Sequence, residues 1–236
     1  MKKPIRSVRY IGNQLLGSFE FLFPISLLTK RLLDPDGIEG FISCRHNICI
    51  AGPPRSANTF ATHVFRFWNQ DALIAHHVHL PNQVLFAVKW NIPCVVLLRN
   101  PLDAISSNLA LDRLSIGTAI FSYVNFYNRI AKVRDRVTVV KFEDVIKNPQ
   151  IMVSQLNSKF GTSFFSAPLT EQQEAEIFSN IKNNPNRKLE LLIAIPDPRK
   201  DERKSVIKPL VIKHPLFNRA VSVYDEWTRF ANKVRE

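Results

Sequence analysis

Residues 47–60 read Asn-Ile-Cys-Ile-Ala-Gly-Pro-Pro-Arg-Ser-Ala-Asn-Thr-Phe and form the strongest local pattern in the chain. The apolar run Ile48–Ala51 is typical of a buried strand. Gly52–Pro54 breaks that strand and forces a turn. A helix is predicted from about residue 58. The free N–H groups and positive dipole end of its first turn favour an anion at this junction.

Two other interpretations of this stretch have to be considered. It is not the P-loop of nucleoside triphosphatases, because no second glycine and no lysine follow Gly52 at the required spacing. It also fits an ordinary connection in which Ser56 and Asn58 only cap a helix. The stretch alone leaves the capping interpretation open.

A second strand-to-helix junction has the same character. The apolar run Pro93–Leu98 predicts a buried strand that ends at Arg99, and Ser107 lies eight residues further on, two turns into the next helix. A guanidinium and a hydroxyl placed in this way can bind one phosphate. The alternative is that Arg99 caps a helix or forms an ion pair with Asp103. This alternative accounts for Arg99 alone but does not account for Ser107.

Apolar runs elsewhere predict alternating strands and helices. The predicted strands are Ile48–Ala51, Leu73–Ala75, Pro93–Leu98 and Val137–Val140. Helices are predicted after residue 58, at 81–90, after Pro101, within 114–134, from Asn148 to Gly161, from a Thr170–Gln173 capping box, and at 217–231. The alternation predicts an α/β fold, a central parallel sheet with helices on both faces, with ligands at the carboxyl ends of the strands.

Length and charge limit the alternatives. The 236 residues suffice for one core, so we expect a single domain over 1–236, with an N-terminal helical extension (1–40), a core (48–150) and a helical C-terminal part (151–236). The net charge of +12 favours an anionic partner: nucleic acid, an acidic membrane or a phosphorylated small molecule. All three cysteines are expected to be buried free thiols.

The basic-flanked apolar segment 10–28 is interrupted by polar residues and Pro24, which argues against a membrane-spanning helix. No signal-peptide cleavage site is evident. We expect a helix packed on the domain of a cytoplasmic protein, with contact to a membrane surface as the alternative.

Four segments, in this order, resemble the sulfotransferases that use 3'-phosphoadenosine 5'-phosphosulfate (PAPS). Pro54–Phe60 resembles their 5'-phosphosulfate loop, and Leu98–Ser107 their 3'-phosphate motif. His77–Pro81 is similar to the Lys-Thr-His-Leu-Pro of cytosolic members, and Val140–Val145 to the segment after the fourth strand. The resemblance covers about residues 48–150. It implies the sulfotransferase variant of the P-loop-NTPase-like fold, with 48–150 as the donor-binding core.

The resemblance implies roles at the 5' end of the donor. Backbone N–H groups of Ser56, Ala57, Asn58 and Thr59, with the Thr59 hydroxyl, would hold the 5'-phosphate. Arg55 would neutralise the charge that builds on the oxygen between phosphate and sulfonate. Ala57 stands where the family has glycine, so we expect a loop conformation that accommodates a Cβ atom.

It also implies the rest of the donor site. Phe60 would stack on adenine with Phe142 near that ring, Arg99 and Ser107 would bind the 3'-phosphate, and His79 would be the catalytic base. An imidazole suits that last role because it titrates near neutral pH. The product would be adenosine 3',5'-bisphosphate (PAP).

Some features remain outside this match. His76, His77 and His79 also suggest a metal site, but no carboxylate or cysteine lies near them in sequence, so we expect no metal. His77 would take the place of the family's lysine. The family's Arg-Lys-Gly segment is absent; Arg199, Lys200, Arg203 and Lys204 lie in its region, and we expect a basic solvated face there.

The sequence thus predicts an enzyme that transfers a sulfonate from PAPS to a hydroxyl, or less favourably an amine, of a small molecule, lipid or glycan. The Phe164–Phe165 region and the N-terminal segment are expected to form an apolar wall for the acceptor. The alternative is a basic nucleic-acid-binding or nucleotide-binding protein without sulfonate transfer. The sequence contains no known nucleic-acid-binding motif, which argues against a nucleic-acid-binding protein. A kinase-like enzyme is disfavoured by the missing P-loop lysine.

Overall fold

A computed structural model of the chain describes residues 11–12, 40–111, 114–183 and 198–233. Within them, four strands form one parallel sheet in the order β2-β1-β3-β4. The strands are β1 (Ile48–Ala51), β2 (Ile74–His76), β3 (Cys94–Leu98) and β4 (Thr138–Lys141). The α/β class and the four predicted strands are confirmed, with bounds that differ by at most one residue.

The described residues contain nine α-helices and a 3-10 helix, Ala131–Arg136. The α-helices are α1 (Asn58–Trp68), α2 (Pro81–Lys89), α3 (Pro101–Leu109), α4 (Ile116–Ile130), α5 (Phe142–Lys147), α6 (Gln150–Phe160), α7 (Glu171–Lys182), α8 (Pro198–Ile212) and α9 (Phe217–Lys233). Seven of them correspond to predicted helices. The sequence did not predict α5 and α8.

Strand side chains alternate between two buried clusters, one on each face of the sheet. On β1, Cys49 and Ala51 join the cluster covered by α2, α3, α4 and α9. Ile48 and Ile50 join the cluster covered by α1, α6 and α7. Because both faces are covered, every residue of β1 has to be apolar, which explains the uninterrupted run in the sequence.

Several helix ends follow their local chemistry. Thr170 and Gln173 form the predicted capping box of α7. Gly161 ends α6 in the left-handed conformation, with φ 64°. At the start of α3, the Asn100 side chain accepts from the N–H groups of Leu102 and Asp103. Asn100 therefore supplies the cap that was considered as an alternative role for Arg99.

The strand order determines where a ligand can bind. After β1 the chain passes to β2 on one side, and after β2 it returns to β3 on the other side of β1. At such a switch point, the loops after the two central strands diverge and leave a crevice at the carboxyl ends. Gly52–Ala57 follows β1, and Arg99 and Asn100 follow β3. The two predicted phosphate motifs are therefore neighbours.

Two of the three cysteines are buried, and the N-terminal segment is almost entirely outside the described residues. Cys49 and Cys94 are buried free thiols as predicted, but Cys44 is exposed because it lies in an irregular segment before β1. The predicted helix at 10–28 falls almost entirely outside the described residues. Among the residues that are described, no helix has the length and apolar character needed to span a bilayer.

The expected solvated basic face at 199–204 lies on helix α8, where Arg199 and Arg203 are exposed as expected but Lys200 is not. Lys200 is buried, with 6% of its surface exposed. The Arg203 guanidinium donates to the Ala110 carbonyl just beyond α3, at 3.4 Å. Lys208 forms an ion pair with Asp103 of α3, at 2.7 Å. Helix α8 thus packs on the helix that carries the second phosphate motif.

Candidate functional site

The loop after β1 is curled by residues in an unusual backbone conformation. Arg55 and Ala57 are both left-handed, with φ 69° and 66°. Alternation of this kind turns successive N–H groups toward one point and makes an anion-binding concavity. Ala57 therefore adopts a conformation typical of glycine, so the loop holds its Cβ atom with the strain of a left-handed L residue.

The interpretation of Ser56 and Asn58 as helix caps is wrong. Ala57 is the N-cap residue of α1 and has no side chain that can accept a hydrogen bond. Asn58 Nδ2 donates instead to the Pro53 carbonyl, at 2.9 Å, which holds the loop shape. Ser56 is fully buried and makes no capping bond to the first turn of α1. The first turn of α1 consequently keeps donors for a bound anion.

Replacing Ala57 with glycine is expected to raise the free energy of unfolding by up to about 1 kcal/mol, because an L residue in the left-handed region carries about 1–2 kcal/mol of strain, partly offset by the entropy of glycine. Urea denaturation measures the change. The control is Ala61→Gly inside α1, which should destabilise by about 1 kcal/mol. Destabilisation by both substitutions would contradict the strain at position 57.

Direct hydrogen bonds join the two predicted phosphate motifs. Arg99 Nη1 donates to the Arg55 carbonyl oxygen, at 2.5 Å. Arg55 Nε donates to Ser107 Oγ, at 3.0 Å. The guanidinium of Arg99 therefore points toward the loop after β1 and not away from it. Two cations and a hydroxyl from separate β-α junctions lie in one crevice.

Aromatic residues fix the position of Arg99. Its guanidinium carbon lies 3.9 Å from the centre of the Phe142 ring, at the start of α5. The Tyr123 hydroxyl donates to the Arg99 carbonyl, at 2.6 Å, and Tyr127 donates to the Leu97 carbonyl, at 2.8 Å. These tyrosines of α4 hold the end of β3.

The charge of Arg99 is incompletely balanced. Burial lowers the pKa of its guanidinium, and the carboxylates of Asp103 and Glu143 act in the opposite direction. Within the described ranges Arg99 has no ion pair, because Asp103 pairs with Lys208. A half-buried guanidinium with donors remaining beyond its bond to the loop is well suited to an anionic ligand.

His79 also lies beside the loop after β1. Its Nδ1 is 2.9 Å from the Gly52 carbonyl oxygen. A carbonyl can only accept, so the neutral ring carries its proton on Nδ1 and its lone pair on Nε2. The residue has φ 56°, a strained conformation of the kind that often occurs at functional sites. This tautomer is the one that a base acting through Nε2 requires.

Thr59, the predicted phosphate-binding hydroxyl, contacts a histidine. Thr59 Oγ1 is 2.9 Å from His77 Nε2, and His77 Nδ1 is 2.5 Å from His76 Nδ1. Sequence reasoning assigned His77 only the place of the family's lysine, and nothing in the sequence points to the contact with Thr59. Among the described residues, no group of three or more histidines, cysteines or carboxylates is arranged to hold a metal ion.

Burial, and then the nearby Arg66 cation, lower the pKa of His76 from 6.5 to about 4. Between these values the unfolded chain binds more protons than the folded one, so stability falls as pH drops from about 6.5 to 4. At pH 5 the expected loss is about 2 kcal/mol relative to pH 7.5. Urea midpoints measure it. His76→Gln should have a smaller pH difference than the parent; equal differences would contradict this assignment.

The aromatic residue predicted to stack on adenine already has a partner. The rings of Phe60 and Phe178 of α7 stack at 5.4 Å between centres and 26° between planes. Phe60 is 3% exposed, whereas Phe178 is half-buried. Phe178 was not identified from the sequence, because a lone aromatic residue on an amphipathic helix has no distinguishing signal.

The region expected to form an acceptor wall lies elsewhere. Phe164 packs edge-on against Phe65, and the Phe165 backbone is hydrogen-bonded to the Asn69 side chain. Asn69 follows the C-terminus of α1, whereas the crevice is at its N-terminus. The length of α1, about 1.5 Å per residue, separates the two, so these phenylalanines do not line the site.

No protein-family model matches this chain, and no curated protein matches it significantly.

Proposed function

We propose that this protein is a sulfotransferase that binds PAPS in the crevice between β1 and β3 and transfers its sulfonate to a hydroxyl. The carrying observation is the bonded arrangement of Arg99, Arg55 and Ser107, which brings cations from both β-α junctions into one crevice. A donor with phosphates at both ends of its ribose needs two such anion positions. The proposal includes the sulfotransferase variant of the P-loop-like fold.

The residues present fit that donor. The left-handed turns at Arg55 and Ala57 and the uncapped start of α1 suit a 5'-phosphate. Arg99 and Ser107 suit a 3'-phosphate, since guanidinium and hydroxyl groups both donate to its oxygens. The exposed side of Phe178, in the Phe178–Phe60 stack, offers an aromatic surface for the adenine.

The donor supplies an activated sulfonate whose leaving group is a phosphate. His79 Nε2 accepts the proton of the acceptor hydroxyl, and the bond from Nδ1 to the Gly52 carbonyl keeps the imidazole in the required tautomer and stabilises the imidazolium that forms. Arg55 stabilises the negative charge that develops on the leaving oxygen.

Calorimetry with PAP tests the donor site without any knowledge of the acceptor. The protein should bind PAP more tightly than ADP, which lacks a 3'-phosphate. Arg99→Ala should weaken PAP about 10- to 100-fold and Ser107→Ala about tenfold, because hydrogen bonds to a charged group contribute about 1.5–3 kcal/mol. Neither substitution should change the affinity for ADP to the same extent.

The matched control is Arg136→Ala. Arg136 also donates to a main-chain carbonyl, that of Val88, but at the amino end of the sheet. The variant should lose stability without losing affinity for PAP. Equal affinities of the parent for PAP and ADP, or a steep uniform fall with salt for any polyanion, would identify a non-specific electrostatic binder instead.

A further inference from the structure

A row of four hydrogen-bonded side chains leads from the protein surface to the first turn of α1. Arg66 Nη2 lies 3.4 Å from His76 Nε2, His76 Nδ1 lies 2.5 Å from His77 Nδ1, and His77 Nε2 lies 2.9 Å from Thr59 Oγ1. Only the last member belongs to the donor site described above. The other three have no role in the proposed mechanism.

The donor and acceptor in each of these hydrogen bonds can be assigned by starting at Arg66. A guanidinium has no acceptor, so His76 Nε2 has to accept from Arg66. The proton of a neutral His76 is then on Nδ1 and is donated to His77 Nδ1. His77 consequently carries its own proton on Nε2 and donates it to Thr59 Oγ1. The Thr59 oxygen thus accepts from His77, and this bond orients the Thr59 hydroxyl.

We propose that Arg66, His76 and His77 form a hydrogen-bond relay that positions the Thr59 hydroxyl as a donor to the anion bound at residues 55–59. The histidines are positioning residues, since they act through Thr59 and do not touch the ligand. The identity of that anion as the 5'-phosphate of PAPS rests on the proposed function, but the direction of the relay does not.

The surroundings of the histidines support this direction. Burial and Arg66, followed by His63, His46 and His79, lower the pKa of His76 to about 4, so its ring is neutral at pH 7 and has a single N–H proton to assign. His77 has φ 61°, so its backbone is held in a strained conformation that brings its ring to Thr59.

Nitrogen-15 NMR of the full chain with labelled histidine tests the relay without any ligand, because protonated and unprotonated ring nitrogens have different shifts. At pH 7, His76 should be the Nδ1–H tautomer and His77 the Nε2–H tautomer. Arg66→Met, at an exposed position, should shift both rings toward a mixture, whereas Arg66→Lys retains a donor and should preserve both tautomers. His77 protonated on Nδ1, or no response to Arg66→Met, would overturn the proposal.

A double-mutant cycle then tests the coupling to the anion. His77→Phe should weaken PAP about three- to tenfold, the range of one hydrogen bond, and should have no further effect in a protein that already carries Thr59→Val. His77→Gln keeps a donor at the same distance and should recover most of the affinity. Additive losses from His77→Phe and Thr59→Val would overturn the relay.

The two failures are distinguishable. If the unmodified protein does not bind PAP, the proposed function fails. The NMR measurement of the His76 and His77 tautomers still tests the relay, because it needs no ligand. If PAP binds but the tautomers are reversed or the losses add, the relay fails and the donor site stands.

Discussion

Replacement of His79 with asparagine is expected to lower turnover of PAPS by about 10²- to 10⁴-fold, the usual contribution of a general base. Asparagine is the informative choice because it tolerates the left-handed backbone at this position, where φ is 56°. Its side-chain amide can also replace Nδ1 as the donor to the Gly52 carbonyl. The substitution therefore removes the base and retains the local structure.

Turnover is measured as release of PAP in the presence of a mixed panel of phenols, alcohols, amines and saccharides. The affinity for PAP and the urea midpoint should match those of the parent, so that any loss of rate is assigned to chemistry. His214→Asn serves as a control for loss of a histidine, because His214 lies in the turn between α8 and α9, where its Nδ1 accepts from the Leu216 N–H at 3.3 Å. Undiminished turnover by His79→Asn would exclude His79 as the base.

Most of the sheet could be predicted because each strand is buried on both faces. A strand such as Cys94–Leu98, in which every residue is buried, leaves an uninterrupted apolar run in the sequence. Helices with one strong apolar face were also predicted, including α9, whose buried residues include Trp227 and Ala231. The local pattern of apolar residues is sufficient to predict a strand or helix whose burial is the same along its whole length.

Helices α5 and α8 lacked that periodicity. Only Val145 is buried in α5, and α8 buries just Lys200 and Val211 while Pro209 interrupts its interior. Such a sequence gives no apolar stripe to detect. Helix α8 contacts α3 through Lys208 and Arg203, which are long-range polar interactions that no local pattern encodes.

The candidate site also has a part that could be predicted from the sequence and a part that could not. The two loops were predicted because each follows a buried strand directly, and the parallel sheet brings such ends together. Which side chains face one another was not predictable, since Arg55 meets Ser107 and Thr59 meets His77 across separations of 52 and 18 residues. The left-handed conformation of Ala57 was missed because its side chain favours another conformation, and only the surrounding structure imposes this one.

Replacement of Arg55 with glutamine is expected to lower the maximal rate of sulfonate transfer by about 10²- to 10³-fold, the effect of removing one group that stabilises developing charge. Arg55 precedes the first turn of α1, and its side chain is fixed by the bond from Nε to Ser107 Oγ. Negative charge increases on the leaving oxygen as the sulfonate departs. A cation there stabilises the transition state more than the bound donor.

Arg55→Lys separates charge from geometry and should recover most of the rate, because an ammonium supplies the same charge on a flexible side chain. Arg45→Gln is the control for net charge: Arg45 is exposed and precedes the amino end of β1, so its loss should leave both rate and PAP affinity unchanged. A normal maximal rate for Arg55→Gln with a raised KM for the donor would contradict the catalytic role, since binding the donor and its transition state equally well does not accelerate the chemical step. A loss in Arg55→Lys as large as that in Arg55→Gln would instead indicate that the bond to Ser107, and not the charge, is the essential contribution.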